Sequence, residues 1–100
     1  MGKSVQHDDS NAIIIWTEYL RYKATVREFR LSEIEKVLRY STERYFDTVT
    51  HRFVVVGKCD DELVMIPFER EGNEVTPITV HVITRQQIRH RQLTGRFENV

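Results

Sequence analysis

After Tyr40 the spacing of apolar residues switches from helical to alternating, and this switch narrows the folds open to the chain. Four β-prone segments follow one another: Glu43–Asp47 and residues 52–57, 63–68 and 76–83. They are parted by short turn-prone stretches, residues 48–50, 58–62 and 70–73. Connections this short predict an antiparallel meander. Pro67 and Pro77 lack a backbone donor, so they are expected at strand ends, edges or bulges.

Ahead of the meander, residues 12–17 are β-branched and aromatic, which suits a buried strand. From Glu18 the period is helical: Tyr19, Tyr22, Val26 and Phe29 form one apolar stripe, widened by Leu20 and Ala24. Lys23, Arg27 and Arg30 share another stripe. A second helix is expected to start at Ser32, with Glu35 reaching back in a capping box and Ile34, Val37 and Leu38 facing the core. Thr84 and Gln87 repeat the capping signature, and a last helix runs from Arg85 to about Thr94 before Gly95 stops it. The expected architecture is α+β, in the order β-α-α-β-β-β-β-α, with the helices on one face of an antiparallel sheet. Residues 12–97 form the domain, residues 1–11 a loose arm without an apolar pattern, and residues 98–100 a tail.

With 100 residues the chain has room for one core. No apolar run is long enough to span a bilayer, and the first residues lack the apolar stretch of a signal peptide. The single cysteine, Cys59, excludes an internal disulfide and favours a reducing, cytoplasmic setting. Beside Asp60 and Asp61 it is expected to be a poor nucleophile. His7, His51, His81 and His90 show no paired metal-ligand spacing, so no metal site is expected. The isolated glycines form no phosphate-cradling loop, so no nucleotide cofactor is expected either.

Fifteen basic and fifteen acidic residues balance overall but not locally. Between residues 58 and 76, Asp60, Asp61, Glu62, Glu69, Glu71 and Glu74 outweigh Lys58 and Arg70. From residue 84 onward, Arg85, Arg89, Arg91 and Arg96 outweigh Glu98. With Lys23 and Arg27, these arginines read either as a groove for a polynucleotide backbone or as solvated helix faces. In residues 78–83, alternation sends Ile78, Val80 and Val82 to one face and Thr79, His81 and Ile83 to the other. If the helices cover the first face, His81 stands on the open one as a candidate general acid or base. Arg52 is a candidate for stabilising phosphate charge or for pairing with Glu43 or Asp47. His90, between two arginines, reads as a surface helix residue.

Residues 78–88, with His81 and the Thr84 cap, and residues 31–38 resemble the corresponding parts of the BrnT toxins and related small domains. That superfamily has the RelE/ParE-like ribonuclease fold. The resemblance covers residues 12–97 and rests on element order and these two phrases. It implies a metal-independent endoribonuclease toxin held inactive by a cognate antitoxin. Its partners would be RNA and the antitoxin, not a membrane. Two departures stand out. The chain reads Arg27, Glu28, Phe29 where the family has Lys-His-Gly, and His81 where the family has an arginine near the end of the last strand. On this reading His81 moves the proton, Arg85 and Arg52 stabilise charge, and Lys23, Arg27 and Arg89 hold the RNA backbone. The rival reading is a non-catalytic interaction domain that uses the same sheet to bind a protein.

Overall fold

The two central strands read Val54, Val55, Val56 and Val64, Met65, Ile66, and all six residues are buried. Side chains alternate across a strand, so six buried neighbours require cover on both faces of the sheet. The computed structural model describes residues 9–100 and shows that cover. Its elements are β1 (Ile13–Ile14), α1 (Glu18–Arg27), α2 (Leu31–Tyr40), β2 (Glu43–Asp47), β3 (Arg52–Cys59), β4 (Glu62–Glu71), β5 (Glu74–Pro77), β6 (His81–Val82), α3 (Arg85–Leu93) and β7 (Phe97–Asn99). The sheet order is β1-β5-β4-β3-β2-β7, with β6 also paired to β4. The chain is therefore α+β, with an antiparallel meander from β2 to β5 and a parallel β1 at one edge.

Leu20, Ala24, Ile34, Val37 and Leu38 from α1 and α2 pack on Val55, Val64, Ile66 and Val75. Ile88 of α3 packs on the opposite face, against Val54, Val56, Met65, Ile83 and Phe97. The helices thus do not share one face: α3 covers the side left open in the sequence reading. α2 lies close to β3 at Gly57, where an added Cβ would stand 2.9 Å from Val37 Cγ1.

Several local expectations are corrected. Ala12 is buried, but only Ile13–Ile14 of the expected first strand pair with β5; as an edge strand it leaves Ile13 and Ile15 in solvent. α1 turns Leu20 and Ala24 inward, while Tyr19, Tyr22 and Val26 face solvent. Thr17 caps α1, its Oγ1 accepting from the Leu20 amide at 3.1 Å. Glu28 ends the helix in the left-handed region, which swings Phe29 into the core from beyond the helix. Only Phe29 and Arg30 then remain before α2, so α2 begins at Leu31 and Ser32 lies inside its first turn without capping it. Glu35 pairs with Arg39 at 2.8 Å instead of reaching back.

Residues 1–8 of the expected arm lie outside the described residues. Asp9 is buried and held by Arg44 at 2.7 Å and by Arg70. Arg39 Nη1 donates to the carbonyls of Asp9, Ser10 and Ala12, so this end of the arm belongs to the fold. The expected tail contributes to β7, which pairs with β2. No helix among the described residues is long and apolar enough to cross a membrane.

The expected strand over residues 76–83 is two strands separated by a bulge. β4 pairs Phe68 with Pro77 but Met65 with His81, so three steps along β4 match four on the other strand. Pro77, with no amide hydrogen to continue the ladder, closes β5. The extra residue reverses the facing relative to β5, and over residues 80–83 the expected alternation holds: Val80 packs on the α1 and α2 side, while Ile83 and His81, beside Met65, lie on the α3 face. The hydroxyl of Thr79, inside the bulge, is buried without a hydrogen-bond partner among the described residues.

Candidate functional site

The bulge aims His81 into a cleft of about 320 Å³ between β4, β6 and α3, lined also by Met65, Gln87, Arg91, Asp47 and Arg96. The Thr84 capping box fixes the start of α3. Thr84 Oγ1 accepts from the Gln87 amide at 3.0 Å, and Gln87 Oε1 accepts from the Thr84 amide at 2.9 Å. One turn beyond Gln87, Arg91 projects inward over the Phe97 ring, its Cζ 5.4 Å from the centroid. Its Nη1 donates to the Met65 sulfur at 3.1 Å, a weak acceptor.

The two cleft arginines are electrostatically different. Arg96 grips Asp47 through Nε and Nη2, with Nη2 3.0 Å from Oδ2, and Asp47 Oδ1 also accepts from the Val49 amide at 2.9 Å. Burial opposes ionisation of Asp47, but the Arg96 and backbone hydrogen bonds outweigh it and hold the carboxyl below its usual range. Arg91 has no carboxylate within ion-pair distance among the described residues. Burial lowers its pKa, with Arg96 adding to the effect and Asp47 opposing it.

The His81 imidazole is half-buried, and its pKa lies below the ordinary value of 6.5. Burial is the main cause, followed by the positive charges of Lys23 and Arg27 on α1 and Arg91 on α3. The shift favours the neutral ring, the form that accepts a proton. Among the described residues neither Lys23 nor Arg27 has a carboxylate partner within ion-pair distance, and with Arg91 they set a positive field at this ring.

Other sequence candidates lie elsewhere. Arg85 does not line the cleft; it pairs with Glu43 at 2.7 Å. Burial pushes Tyr45, whose hydroxyl donates to Glu43 at 2.6 Å, up to about 12, and the Glu43 charge adds to the shift. Arg52 pairs with Glu69 on β4 at 3.2 Å, not with Glu43 or Asp47, and lines a separate groove of about 490 Å³ with Arg70, Glu71 and Glu74. Arg89 is exposed on α3 and does not line the His81 cleft. His90 is also exposed, as expected, beside Gln86 and Arg91. Cys59 is buried, and that burial, with Glu33 and Asp60 adding, pushes its thiol up to about 12. No group of three acidic, histidine or cysteine side chains among the described residues is placed to hold a metal ion.

Arg91 and the Asp47–Arg96 clamp were missed as site features in the sequence, where Arg91 and Arg96 counted only toward a basic tail. One signal was present: Ile88 is the lone large aliphatic residue before Leu93 in α3, and Arg91, three residues on, lies on its inward side. No protein-family model, curated protein or solved structure matches this chain.

Proposed function

We propose that the chain is a metal-independent endoribonuclease of the RelE/BrnT type, with its centre in the His81 cleft. The carrying observation is a half-buried imidazole that shares its cleft with Arg91 and feels the positive charge of Lys23 and Arg27, none of the three with a carboxylate within ion-pair distance among the described residues. RNA supplies its own nucleophile. Its 2′-hydroxyl attacks the adjacent phosphorus as His81 takes the hydroxyl proton, and the 5′-oxygen leaves with a proton from solvent. The products are a 2′,3′-cyclic phosphate and a 5′-hydroxyl. Charge accumulates on the phosphorane oxygens, and Arg91 is the guanidinium placed to offset it. Arg91 thereby takes the role that the sequence reading gave to Arg85 and Arg52. Lys23 and Arg27 hold flanking phosphates, and a cognate antitoxin would silence the site by covering it.

The test is incubation with RNA in EDTA followed by end analysis. The expected products carry 2′,3′-cyclic phosphates. His81→Ala slows cleavage by about 10²- to 10⁴-fold, and Arg91→Ala by about 10²- to 10³-fold. Arg85→Ala leaves the rate near wild type. Undiminished cleavage by His81→Ala, or ends of another kind, removes the mechanism. A second reading, a non-catalytic protein-binding domain, draws support from β1. Among the described residues this edge strand has one neighbour, and Ile13 within it and Ile15 just beyond it are exposed to solvent. Absence of cleavage together with strand-dependent capture of a partner would favour it.

A further inference from the structure

The apolar stripe that periodicity assigned to the core of α1 is on its outside. Tyr19 and Tyr22 are 56% and 62% exposed, and Val26 is also in solvent. The two rings lie 6.5 Å apart, centroid to centroid, with planes tilted by 38°, so they present two adjacent faces rather than one flat plate. On a helix, positions four apart stack in a row, which aligns Tyr19, Lys23 and Arg27 along one line beside the Tyr22 and Val26 line. Going round the helix, the order is aromatic pair, then cations, then the buried Leu20 and Ala24. The cation line thus separates the aromatic pair from the sheet. Glu18, in the first turn, is the acidic residue of α1, against Arg21, Lys23 and Arg27.

We propose that the outer face of α1 is a base-stacking subsite for unpaired nucleotides of an RNA strand, with Tyr19 and Tyr22 as the stacking residues and Lys23 and Arg27 on the intervening phosphates. The inference rests on the RNA-binding reading of the His81 cleft and extends it along the strand. Charge complementarity selects the occupant: exposed aromatic faces interleaved with unneutralised cations match a polyanion that carries flat bases. An apolar protein partner would leave these cations facing hydrocarbon. Bases inside a duplex already stack on one another and offer no free face, so the subsite takes single-stranded RNA.

The probe is a fluorescein-labelled 2′-O-methyl RNA dodecamer, which lacks the nucleophilic hydroxyl and is not cleaved, compared with its blunt duplex by anisotropy over a range of salt. The full chain is used, with circular dichroism confirming that each variant is folded. Tyr19→Ala and Tyr22→Ala are each expected to weaken single-strand binding about fivefold to a hundredfold, with Tyr→Phe near wild type. Their salt dependence should match wild type, because no phosphate contact is lost. Lys23→Ala and Arg27→Ala should each lower the salt slope by about 0.7. Tyr→Ala variants that bind like wild type while the cation variants weaken overturn the stacking subsite and leave the cleft reading standing. Equal, tyrosine-dependent affinity for the duplex overturns it too. No saturable binding of either RNA by the wild-type chain overturns the cleft reading and this one together.

Discussion

Arg96 and Asp47 meet through a two-pronged ion pair, Nη2 to Oδ2 at 3.0 Å, across a separation of 49 residues. The pair ties the residue before β7 to the last residue of β2. Thr48 strengthens the tie, its amide donating to the Arg96 carbonyl at 2.8 Å. One consequence is structural: α3 and β7 are fixed against the meander. The other is electrostatic: Arg96 is neutralised at the cleft wall, so Arg91 is the arginine there whose charge remains available to an anion.

Asp47→Asn should therefore destabilise the protein. The carboxylate is almost fully enclosed and accepts from a guanidinium and two amides, so the amide variant loses charge-assisted bonds in a poorly solvated site. A loss of about 2 kcal/mol, or roughly 10 °C in Tm, is expected from thermal unfolding. A Tm within about 2 °C of wild type would show that the clamp is incidental.

Asp9 offers a sharper contrast. Its carboxylate has no exposed surface and bridges Arg44, itself nearly buried, to Arg70. Asp9→Ala leaves two guanidinium groups facing each other without an anion, and removing one partner of a buried pair costs about 3–5 kcal/mol. The Arg30–Asp60 pair has a similar separation of 2.8 Å, but both partners are open to water. Arg30→Ala should leave the denaturation midpoint near wild type. Chemical denaturation of both variants checks the ordering; equal midpoints would contradict it.

Gly57→Ala tests the close approach of α2 to β3 at this position. The new Cβ would press on both Val37 methyls, which are buried and have little freedom to move. Overpacking of this kind costs about 1–3 kcal/mol. Val37→Ala in the same chain removes the methyls that clash. The double variant should then be more stable than the sum of the single effects by about 1 kcal/mol. Strict additivity in urea unfolding would mean that α2 simply shifts away from the sheet.

These contacts show what the sequence could reveal. Meander strands β2, β3 and β4 and the Thr84 cap were legible because their signals are local: alternation, short turns, and a capping pair three residues apart. The covered second face was written in the unbroken runs Val54–Val55–Val56 and Val64–Met65–Ile66, yet alternation was read as one-sided burial. The facing of α1 was ambiguous. Tyr19, Tyr22 and Val26 form a better apolar stripe than Leu20 and Ala24, and only the close approach to the sheet selects the smaller pair. The bulge that aims His81 was hidden, because Ile78, Val80, Val82 and Ile83 are apolar in either register. Asp9 sits in a polar stretch, and its partners lie 35 and 61 residues away, beyond any local pattern.

His81 links stability to activity through pH. Burial of the ring lowers its pKa in the folded protein below 6.5, and the positive charges of Lys23 and Arg27 on α1 and Arg91 on α3 add to the effect. In the unfolded chain these influences vanish and the pKa returns to about 6.5. Between the two values the unfolded chain binds a proton that the folded chain does not, so acidification favours unfolding. The contribution of His81 is fully present above the unfolded value and is lost as pH falls through the folded one. His81→Asn removes this linkage. Its Tm should fall less steeply than that of wild type as pH drops below 6.5, while the two profiles run parallel above neutrality. Cleavage should show an acid limb governed by the same depressed pKa, since only the neutral ring accepts the 2′-hydroxyl proton. Removing the neighbouring charge with Arg91→Gln should move both the Tm inflection and the surviving activity limb to higher pH. If the Tm profiles of wild type and His81→Asn coincide throughout, the ring is not held in the cationic field described here.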